Sequence, residues 1–350
     1  MEAGGDYNSI KVHMEVFLLM NKLGISLVLL CAFISCSPGS PEVVIYVSED
    51  QVFSEPVLKD FERETGIRVR ALYDTEEAKG TGVMNRLIAE KKNPRADVYW
   101  ANEPIRAIVL KEKGVTARYF SPQAEGIPFR FRDREGHWTG FSARARVFIA
   151  GLEGTGPTSI LDYAKAAWKG RAVMANPLFG TTTVWVASLF SVWGDEKAKG
   201  FLGRITDNGV KISSSNGEST LLVTNRECAF GLVDSDDAAN AARSGKPVRM
   251  IVPDQAEGDL GCLVLPNAAV LVRNGPNRKN GESLIDYLLS PQTERQLAFA
   301  NCAQVPLRDG VEAPPDVVAL RAIKVMEVDY EMVARKLEEI QPFLRAWKGN

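Results

Sequence analysis

Histidine is scarce in this sequence, which has 350 residues and 2 histidines. His13 precedes the predicted mature N-terminus, so a Ser-His-Asp triad, a Cys-His dyad or a multi-histidine metal site would have to use His137. That residue lies in the polar stretch RFRDREGHWTG, a pattern typical of a solvent-exposed loop. The scarcity of histidine therefore argues against the usual hydrolase and histidine-metal chemistries.

The cysteines also exclude more than they offer. None of the 5 belongs to a Cys-x-x-Cys pair, so a thiolate zinc site is not expected. Three lie beyond the N-terminal region, Cys228, Cys262 and Cys302, in apolar surroundings that suit a free buried thiol as well as a disulfide. Three cysteines allow at most one internal disulfide, and the sequence leaves its presence open.

Several common binding motifs are missing. The chain contains no GxGxxG, no phosphate-binding GxxxxGK[ST] loop and no GxSxG, so no nucleotide cofactor and no serine nucleophile on a strained turn is expected. Neither sign of charge is in excess, with 42 Lys and Arg against 44 Asp and Glu and a net charge of −2. A nucleic-acid or anionic-membrane surface would need a basic excess, so neither is an expected partner.

The N-terminal region contains the one long hydrophobic run. Leu23 to Ile34 is apolar, follows Lys22, and has the length of a signal-peptide core rather than of a bilayer span. Phe33-Ile34-Ser35-Cys36 resembles a bacterial lipobox, in which the cysteine is lipidated and becomes the mature N-terminus. The preceding residues fit a signal peptide better if translation starts at Met20 or Met14.

This pattern predicts a signal peptide over residues 1–35 and a lipidated tether over 36–41, where Ser, Pro and Gly alternate. The protein is then expected to be exported and anchored through Cys36 on the periplasmic or cell-surface face of a bacterial membrane. An ordinary N-terminal helix with an incidental cysteine is the alternative.

Strand-like and helix-like segments alternate along the rest of the chain, which predicts an α/β fold with a parallel sheet covered by helices. The first block consists of strands 43–47, 67–72 and 96–100 with helices 54–65, 82–92 and 104–113. The second consists of strands 144–149, 171–175, 210–213 and 228–233 with helices 159–168, 182–193, 196–207, 219–224 and 238–243. A strand at 268–272 and helices at 282–289, 292–301, 317–326 and 330–344 complete the chain.

In open α/β sheets ligands bind beyond the carboxyl ends of strands, so the residues that follow each strand are the candidates for a binding site. They include many carboxylates: Glu49, Asp50, Glu103, Asp234, Asp236 and Asp237, together with Trp100 and Asn216. Trp100 could stack on a cationic ligand or belong to the core.

The pair Asp236 and Asp237 is costly when both residues are ionised, and a bound cation would remove the repulsion. The alternative is that they cap the following helix. Gly180, Thr181 and Thr182 at a helix start offer amides and hydroxyls to an anion, or form a simple cap.

Several ordered blocks together resemble the ferric-iron class of ABC-transporter solute-binding proteins. The blocks are the lipobox, KDFERETGIRV, ADVYWANEP, WKGRAVMANPLFGTTT, and the segment from Asn216 to Asp237. The resemblance implies a type II periplasmic-binding-protein fold with two α/β lobes and a ligand cleft between them. It also implies a monomer that delivers a small ligand to an ABC permease and its ATPase, with iron as transported ligand rather than cofactor and no enzymatic activity.

The resemblance also implies roles for particular residues. Glu103 matches the family's metal-binding glutamate, Glu49 or Asp50 falls near a first-strand ligand, and Asp236 and Asp237 fall where the family has two adjacent iron-binding tyrosines. Gly180 and Thr181 fall where an accompanying anion is held, with Thr182, Asn216 and Asp234 nearby.

Because carboxylates replace the phenolates, the ligand stays open between ferric iron or another hard cation and an organic cation such as thiamin or a polyamine. A metal-dependent hydrolase and a sensor lipoprotein are the remaining alternatives.

The expected lobes are residues 42–141 with about 262–312, and residues 142–261 with about 313–350. The chain is expected to cross between them near 139–146 and again near 259–264.

Overall fold

The computed structural model describes residues 40–74 and 81–348. The predicted signal peptide, Cys36 and most of the tether lie outside the described residues. The strands are β1 Glu42–Val47, β2 Arg68–Tyr73, β3 Val98–Ala101, β4 Thr116–Ala117, β5 Thr139–Gly151, β6 Ala172–Ala175, β7 Lys211–Ser213, β8 Phe230–Asp234, β9 Val248–Ile251 and β10 Val264–Val272.

Helices pack on these strands and begin or end where the sequence provides the signals. They are α1 Gln51–Thr65, α2 Thr81–Ala89, α3 Pro104–Glu112, α4 Gly180–Trp193, α5 Asp195–Asp207, α6 Asn216–Thr224, α7 Ser235–Arg243, α8 Arg278–Leu288, α9 Pro291–Phe299, α10 Tyr330–Glu339 and α11 Gln341–Lys348. Gly66 ends α1 in the left-handed conformation, with φ of 70°, and Ser290 with Pro291 starts α9. Within the described residues no helix is long and apolar enough to cross a membrane.

The ten strands form one continuous sheet in the order β2-β1-β3-β10-β5-β8-β6-β7, with β4 beside β10 and β9 beside β5. Strands β1, β2 and β3 are mutually parallel, as are β6, β7 and β8. These two parallel groups confirm the α/β class. Between them run the antiparallel strands β5 and β10.

The long strand β5 belongs to both parts of the sheet. Its first half pairs with β10, with Ala145 opposite Val264, and its second half pairs with β8, with Arg146 opposite Asp234. The chain therefore passes from one parallel group to the other at Ala145 and Arg146. This crossing lies within the predicted stretch 139–146.

Two predicted helices are wrong. Residues 159–168 form two short 3-10 segments, Ile160–Ala164 and Ala166–Trp168, because extended backbone at Lys165 separates them. Residues 317–326 contain a single 3-10 turn, Leu320–Ala322, since the chain near Val325 extends to pair with Cys262. Tertiary pairing overrides the amphipathic spacing there.

Three further expectations change. The last predicted helix, 330–344, is two helices, α10 and α11. His137 lies in a loop but is buried rather than solvent-exposed, with Nδ1 2.6 Å from the Thr116 hydroxyl; burial lowers the pKa of its imidazole. Cys228, Cys262 and Cys302 are buried and free, so the possible disulfide is not formed.

Candidate functional site

Arg146 lies at the centre of the strongest polar network near the strand crossing. Its guanidinium is buried beside β8 and donates to Asp234 Oδ1 at 2.8 Å, Thr181 Oγ1 at 3.0 Å and Asn216 Oδ1 at 3.3 Å. It also donates to Thr182 Oγ1 at 3.2 Å. This one side chain therefore connects β5 with the ends of β8, α4 and α6.

Asp234 is fully engaged in this network. Its Oδ2 accepts hydrogen bonds from Thr181 Oγ1 at 2.8 Å and from Asn216 Nδ2 at 3.2 Å, while Oδ1 accepts from Arg146. A buried ion pair supported by further hydrogen bonds satisfies both of its charges. The charge of Asp234 is consequently compensated inside the protein.

Asp236 and Asp237 follow in the first turn of α7 and are compensated only in part, by Arg144 and, for Asp237, also by Arg146 and the backbone of Asp234. One ligand oxygen from each of Asp234, Asp236 and Asp237 lies within 4.8 Å of the others. Burial and the charge of Asp237 raise the pKa of Asp236 well above its ordinary value, against an opposing effect of Arg144. Asp236 Oδ1 is buried without a hydrogen-bond partner among the described residues. The folded protein thus holds more negative charge here than it neutralises.

Asp237 is perturbed in the same direction. Burial and the charge of Asp234 raise the pKa of Asp237 to about 6, although Arg146 and Arg144 act against this. The N-cap of α7 is Asp234, whose side chain makes no capping hydrogen bond. Asp237 accepts a hydrogen bond from the backbone of Asp234, so it takes part in capping α7. Capping therefore accounts for Asp237 and leaves Asp236, whose Oδ1 has no partner among the described residues.

Two carboxylates that follow β1, in the other parallel group of the sheet, also interact electrostatically with the residues around this cluster. Glu49 is buried directly after β1, and its charge acts on both Arg144 and Asp236. Asp50 is the N-cap residue of α1, forms no capping hydrogen bond with its side chain, and also acts on Arg144. Glu49 therefore interacts electrostatically with Asp236, and both Glu49 and Asp50 interact with Arg144.

Glu103 and Trp100 have other roles in the structure. The carboxylate of Glu103 caps α3, accepting from the Ile105 amide at 2.5 Å and the Arg106 amide at 3.3 Å, and it pairs with the Arg106 guanidinium. Trp100 is fully buried in β3 and donates from Nε1 to Asn267 at 3.1 Å. Both are thus held by structural contacts, and the indole of Trp100 is part of the core rather than of a cleft wall.

The start of α4 is arranged as the sequence suggested. Gly180 is the first residue of the helix, with φ of 60°, and the hydroxyls of Thr181 and Thr182 face Arg146. Thr183 Oγ1 is buried without a hydrogen-bond partner among the described residues. Amides at a helix start favour an anion, and Arg146 adds a positive charge behind them.

Arg144 and Arg146 are the residues that the sequence analysis missed. They lie two positions apart in ARARVFIAG, an otherwise apolar strand, and residues two apart share one face of a strand. Two arginines on one face of a buried strand require buried partners, and that was the available signal. Burial lowers the pKa of Arg144, but the charges of Glu49, Asp234, Asp236 and Asp50 outweigh it and raise the pKa above its ordinary value.

A two-part sheet crossed by β5, with converging charged groups near the crossing, defines the class of a two-lobed solute-binding protein. The chain matches the family model of bacterial extracellular solute-binding proteins over residues 46–295, and it belongs to that family. The family acts with an ABC permease and ATPase in import, and its members are binding proteins rather than enzymes. The hydrolase alternative is therefore not supported.

Individual relatives agree with this assignment. The chain is 28% identical to iron uptake protein A1 of Synechocystis over 79% of its own length and 81% of the relative. It is 26% identical to a putative 2-aminoethylphosphonate-binding periplasmic protein of Salmonella typhimurium over 79% and 82%. A Trichodesmium protein solved with iron and citrate has the same type II fold, with a TM-score of 0.78, 21% identity, and coverage of 87% and 99%.

Proposed function

We propose that this protein is the extracytoplasmic receptor of an ABC importer and that its cargo is a hard metal cation, with ferric iron or a ferric complex as the first candidate. The observation that carries the proposal is the carboxylate cluster of Asp234, Asp236 and Asp237, whose oxygens lie within 4.8 Å of one another. Carboxylate oxygens are the ligands that hard cations prefer.

The balance of charge supports a positively charged cargo. Arg146 compensates Asp234 at 2.8 Å, whereas burial and neighbouring carboxylates raise the pKa of Asp236 and of Asp237 against the opposing effect of the arginines. A bound cation would stabilise both carboxylates in their ionised form. Among the sequence-based candidates, Asp236 and Asp237 are therefore the metal ligands that we propose on the α7 side.

The opposite side of the proposed cleft is supplied by Glu49 and Asp50. The carboxylate of Glu103 already accepts two amide hydrogen bonds, so its use as a metal ligand would weaken the start of α3. We propose Glu49 and Asp50 as the ligands that meet Asp236 and Asp237 across the cleft. Gly180, Thr181, Thr182 and Asn216 would then face any anion that accompanies the metal.

The lobes that we propose are residues 42–141 with about 262–312, and residues 142–261 with about 313–350. A cation that contacts carboxylates of both lobes binds the closed form more tightly and shifts the population towards it. The permease would then recognise the closed form. Cys36 would anchor the protein to the membrane beside the permease, and no second copy of the chain is required.

The relatives support iron as the first candidate, since one is named for iron uptake and a structural neighbour was solved with iron and citrate. An organic cation such as thiamin or a polyamine is the second candidate. It is favoured by Asp236 and Asp237 themselves, because carboxylates bind ammonium groups as well as metals.

Native mass spectrometry of protein purified without chelator would test the proposal, with the bound mass identified. We expect a metal, and we expect Asp236→Asn and Asp237→Asn each to lower the affinity for ferric citrate at least tenfold in titration calorimetry. Asp309→Asn, an exposed acid far along the chain, is the matched control and should bind normally. Normal binding by both cluster variants would contradict the metal site, and a bound organic cation would favour the second candidate.

A further inference from the structure

Arg144 places a positive charge inside the proposed cation site. The carboxylates of Glu49, Asp234, Asp236 and Asp50 all act on its guanidinium. Among the described residues, however, no carboxylate oxygen lies within 4.0 Å of it to form an ion pair. Among the described residues, its side chain donates to the backbone carbonyl of Asn102, and its Nε atom is buried without a partner there.

The neighbouring Arg146 shows how a purely structural arginine is held in this fold. Its guanidinium donates to Asp234, to three side chains from α4 and α6, and to the carbonyl of Leu232 at 3.3 Å. A guanidinium has five N–H donors in a fixed plane. The Nη1 and Nη2 donors of Arg146 are taken by the protein, although its Nε, like that of Arg144, is buried without a partner among the described residues. Arg144 donates to one backbone carbonyl and keeps most of its donors for other acceptors.

Two half-buried groups of opposite charge therefore have unused hydrogen-bonding capacity near each other. Asp236 Oδ1 has no partner among the described residues, and the charges of Arg144 and Asp236 act on each other without a direct bond. A buried polar atom without a partner is costly, and a ligand that supplies partners to both groups would recover that cost.

We propose that Arg144 determines specificity: the cargo carries an anionic oxygen group that binds the Arg144 guanidinium, while its positive centre binds Asp236 and Asp237. This inference rests on the proposed receptor function and narrows its substrate class. The planar fork of arginine matches carboxylate, phosphate and phosphonate groups. A bare cation would instead meet the positive charge of Arg144 in a poorly solvated site, where repulsion is strong.

Two classes of cargo combine a positive centre with an anionic oxygen group. One is a metal bound to a carboxylate or phosphate chelator, and the other is a small molecule that combines an ammonium group with an acid group. Titration calorimetry with four probes separates them: ferric citrate, 2-aminoethylphosphonate, Mn²⁺ and spermidine. The first two carry an anionic group and the last two do not.

Wild-type protein should bind ferric citrate or 2-aminoethylphosphonate at least tenfold more tightly than either anion-free cation. Arg144→Met should weaken that binding about 10- to 100-fold, which is the usual effect of losing a hydrogen bond to a charged group. The same variant should bind Mn²⁺ and spermidine equally well or better, because a repulsive charge is gone. Loss of structure alone would not improve the binding of one probe class.

Arg144→Lys keeps the positive charge but loses the planar guanidinium, so we expect an intermediate loss of affinity for the anionic probes. Arg130→Met, at an exposed arginine outside the site, should behave as wild type. Circular dichroism and thermal unfolding establish that each variant is folded.

An unchanged affinity of folded Arg144→Met for the anionic probe would overturn this inference and leave the receptor function intact. Tighter binding of Mn²⁺ or spermidine than of the anionic probes by wild-type protein would do the same. Binding of none of the four probes by wild-type protein would contradict the proposed metal receptor as well.

Discussion

Asp236 and Asp237 hold protons more tightly in the folded protein than an aspartate does in an unfolded chain, where its pKa is 3.8. The pKa of Asp237 is about 6 when the protein is folded, and that of Asp236 is also raised. Between pH 3.8 and about pH 6 the folded state therefore binds more protons than the unfolded state. Linkage then requires the stability of the ligand-free protein to fall as the pH rises through this range.

We expect the melting temperature of ligand-free wild-type protein to fall between about pH 4 and pH 7 relative to that of Asp237→Asn. A difference of about two pKa units corresponds to up to about 3 kcal/mol, so the variant should be the more stable protein above pH 6. At a pH below 3.8, the pKa of aspartate in the unfolded chain, the stability advantage of the variant should vanish because Asp237 is then protonated in both the folded and the unfolded state. Scanning calorimetry over this range measures the difference, and a constant difference at all pH values would contradict the assignment.

The role of Glu103 as a helix cap gives a second prediction for a single residue. Its carboxylate accepts the amides of Ile105 and Arg106, so Glu103→Ala should cost about 1–2 kcal/mol of unfolding free energy. We expect only a small change in affinity for ferric citrate, whereas Glu49→Gln should lower it at least tenfold. Chemical denaturation and calorimetry measure the two quantities. A large loss of affinity in Glu103→Ala would restore the metal-ligand role that the sequence suggested.

The acidic residues of the candidate site could be proposed from the sequence because they follow strands, and strand ends meet at one edge of a parallel sheet. The roles of Glu103 and Trp100 could not be separated in the same way, since a cap and a ligand require the same carboxylate and a core tryptophan resembles a stacking one. Arg144 and Arg146 were missed because their partners come from other segments. Only the three-dimensional register places Arg146 opposite Asp234.

At the scale of elements, the extended segment at residues 324–326 pairs with the chain just before β10. Cys262 donates its amide to the carbonyl of Lys324 at 2.8 Å, and Met326 donates to the carbonyl of Cys262 at 2.8 Å. Gly261 precedes this contact with φ of 83°, and a Cβ there would lie 2.8 Å from the backbone of Lys324 to Met326. The close approach of two chains thus requires glycine.

We expect Gly261→Ala to cost roughly 3 kcal/mol or more, because backbone strain and a steric clash act together. Gly245→Ala is the matched control: Gly245 has a similar φ of 74°, but nothing lies within 4 Å of its Cβ position. Strain alone should then cost about 1 kcal/mol. Urea denaturation compares the two variants, and equal losses would show that the contact with residues 324–326 contributes nothing.

The same segment explains where the prediction of elements failed. The hydrophobic spacing of residues 317–326 fits an amphipathic helix, but backbone pairing with Cys262 holds this part of the chain extended. Most strands and helices were predicted within a few residues because their alternation and end signals are local. The short strands β4 and β9 were not predicted, since both are only a few residues long and depend on pairing with β10 and β5.

At the scale of the whole molecule, the lipobox predicts that the protein is anchored to a membrane through Cys36. We expect Cys36→Ala to prevent lipidation, so the protein should leave the membrane fraction after a salt wash, because an acylated cysteine is the proposed anchor. Fractionation followed by immunodetection measures this, with Cys228→Ala as the control that keeps Cys36. Retention of Cys36→Ala in washed membranes would contradict the lipobox.

The passage of β5 through both parts of the sheet has a consequence for engineering. A polypeptide cut at Ala145 or Arg146 would leave an unpaired strand edge on each fragment, and such edges aggregate. The exposed residues 152–155, just beyond the end of β5, offer a cut that leaves every strand intact, although β5 is then on one fragment and its partners β8, β9 and β10 are on the other. Two fragments divided there and fused to the halves of a fluorescent reporter would have to rejoin along β5, so the signal would measure reassembly of the sheet.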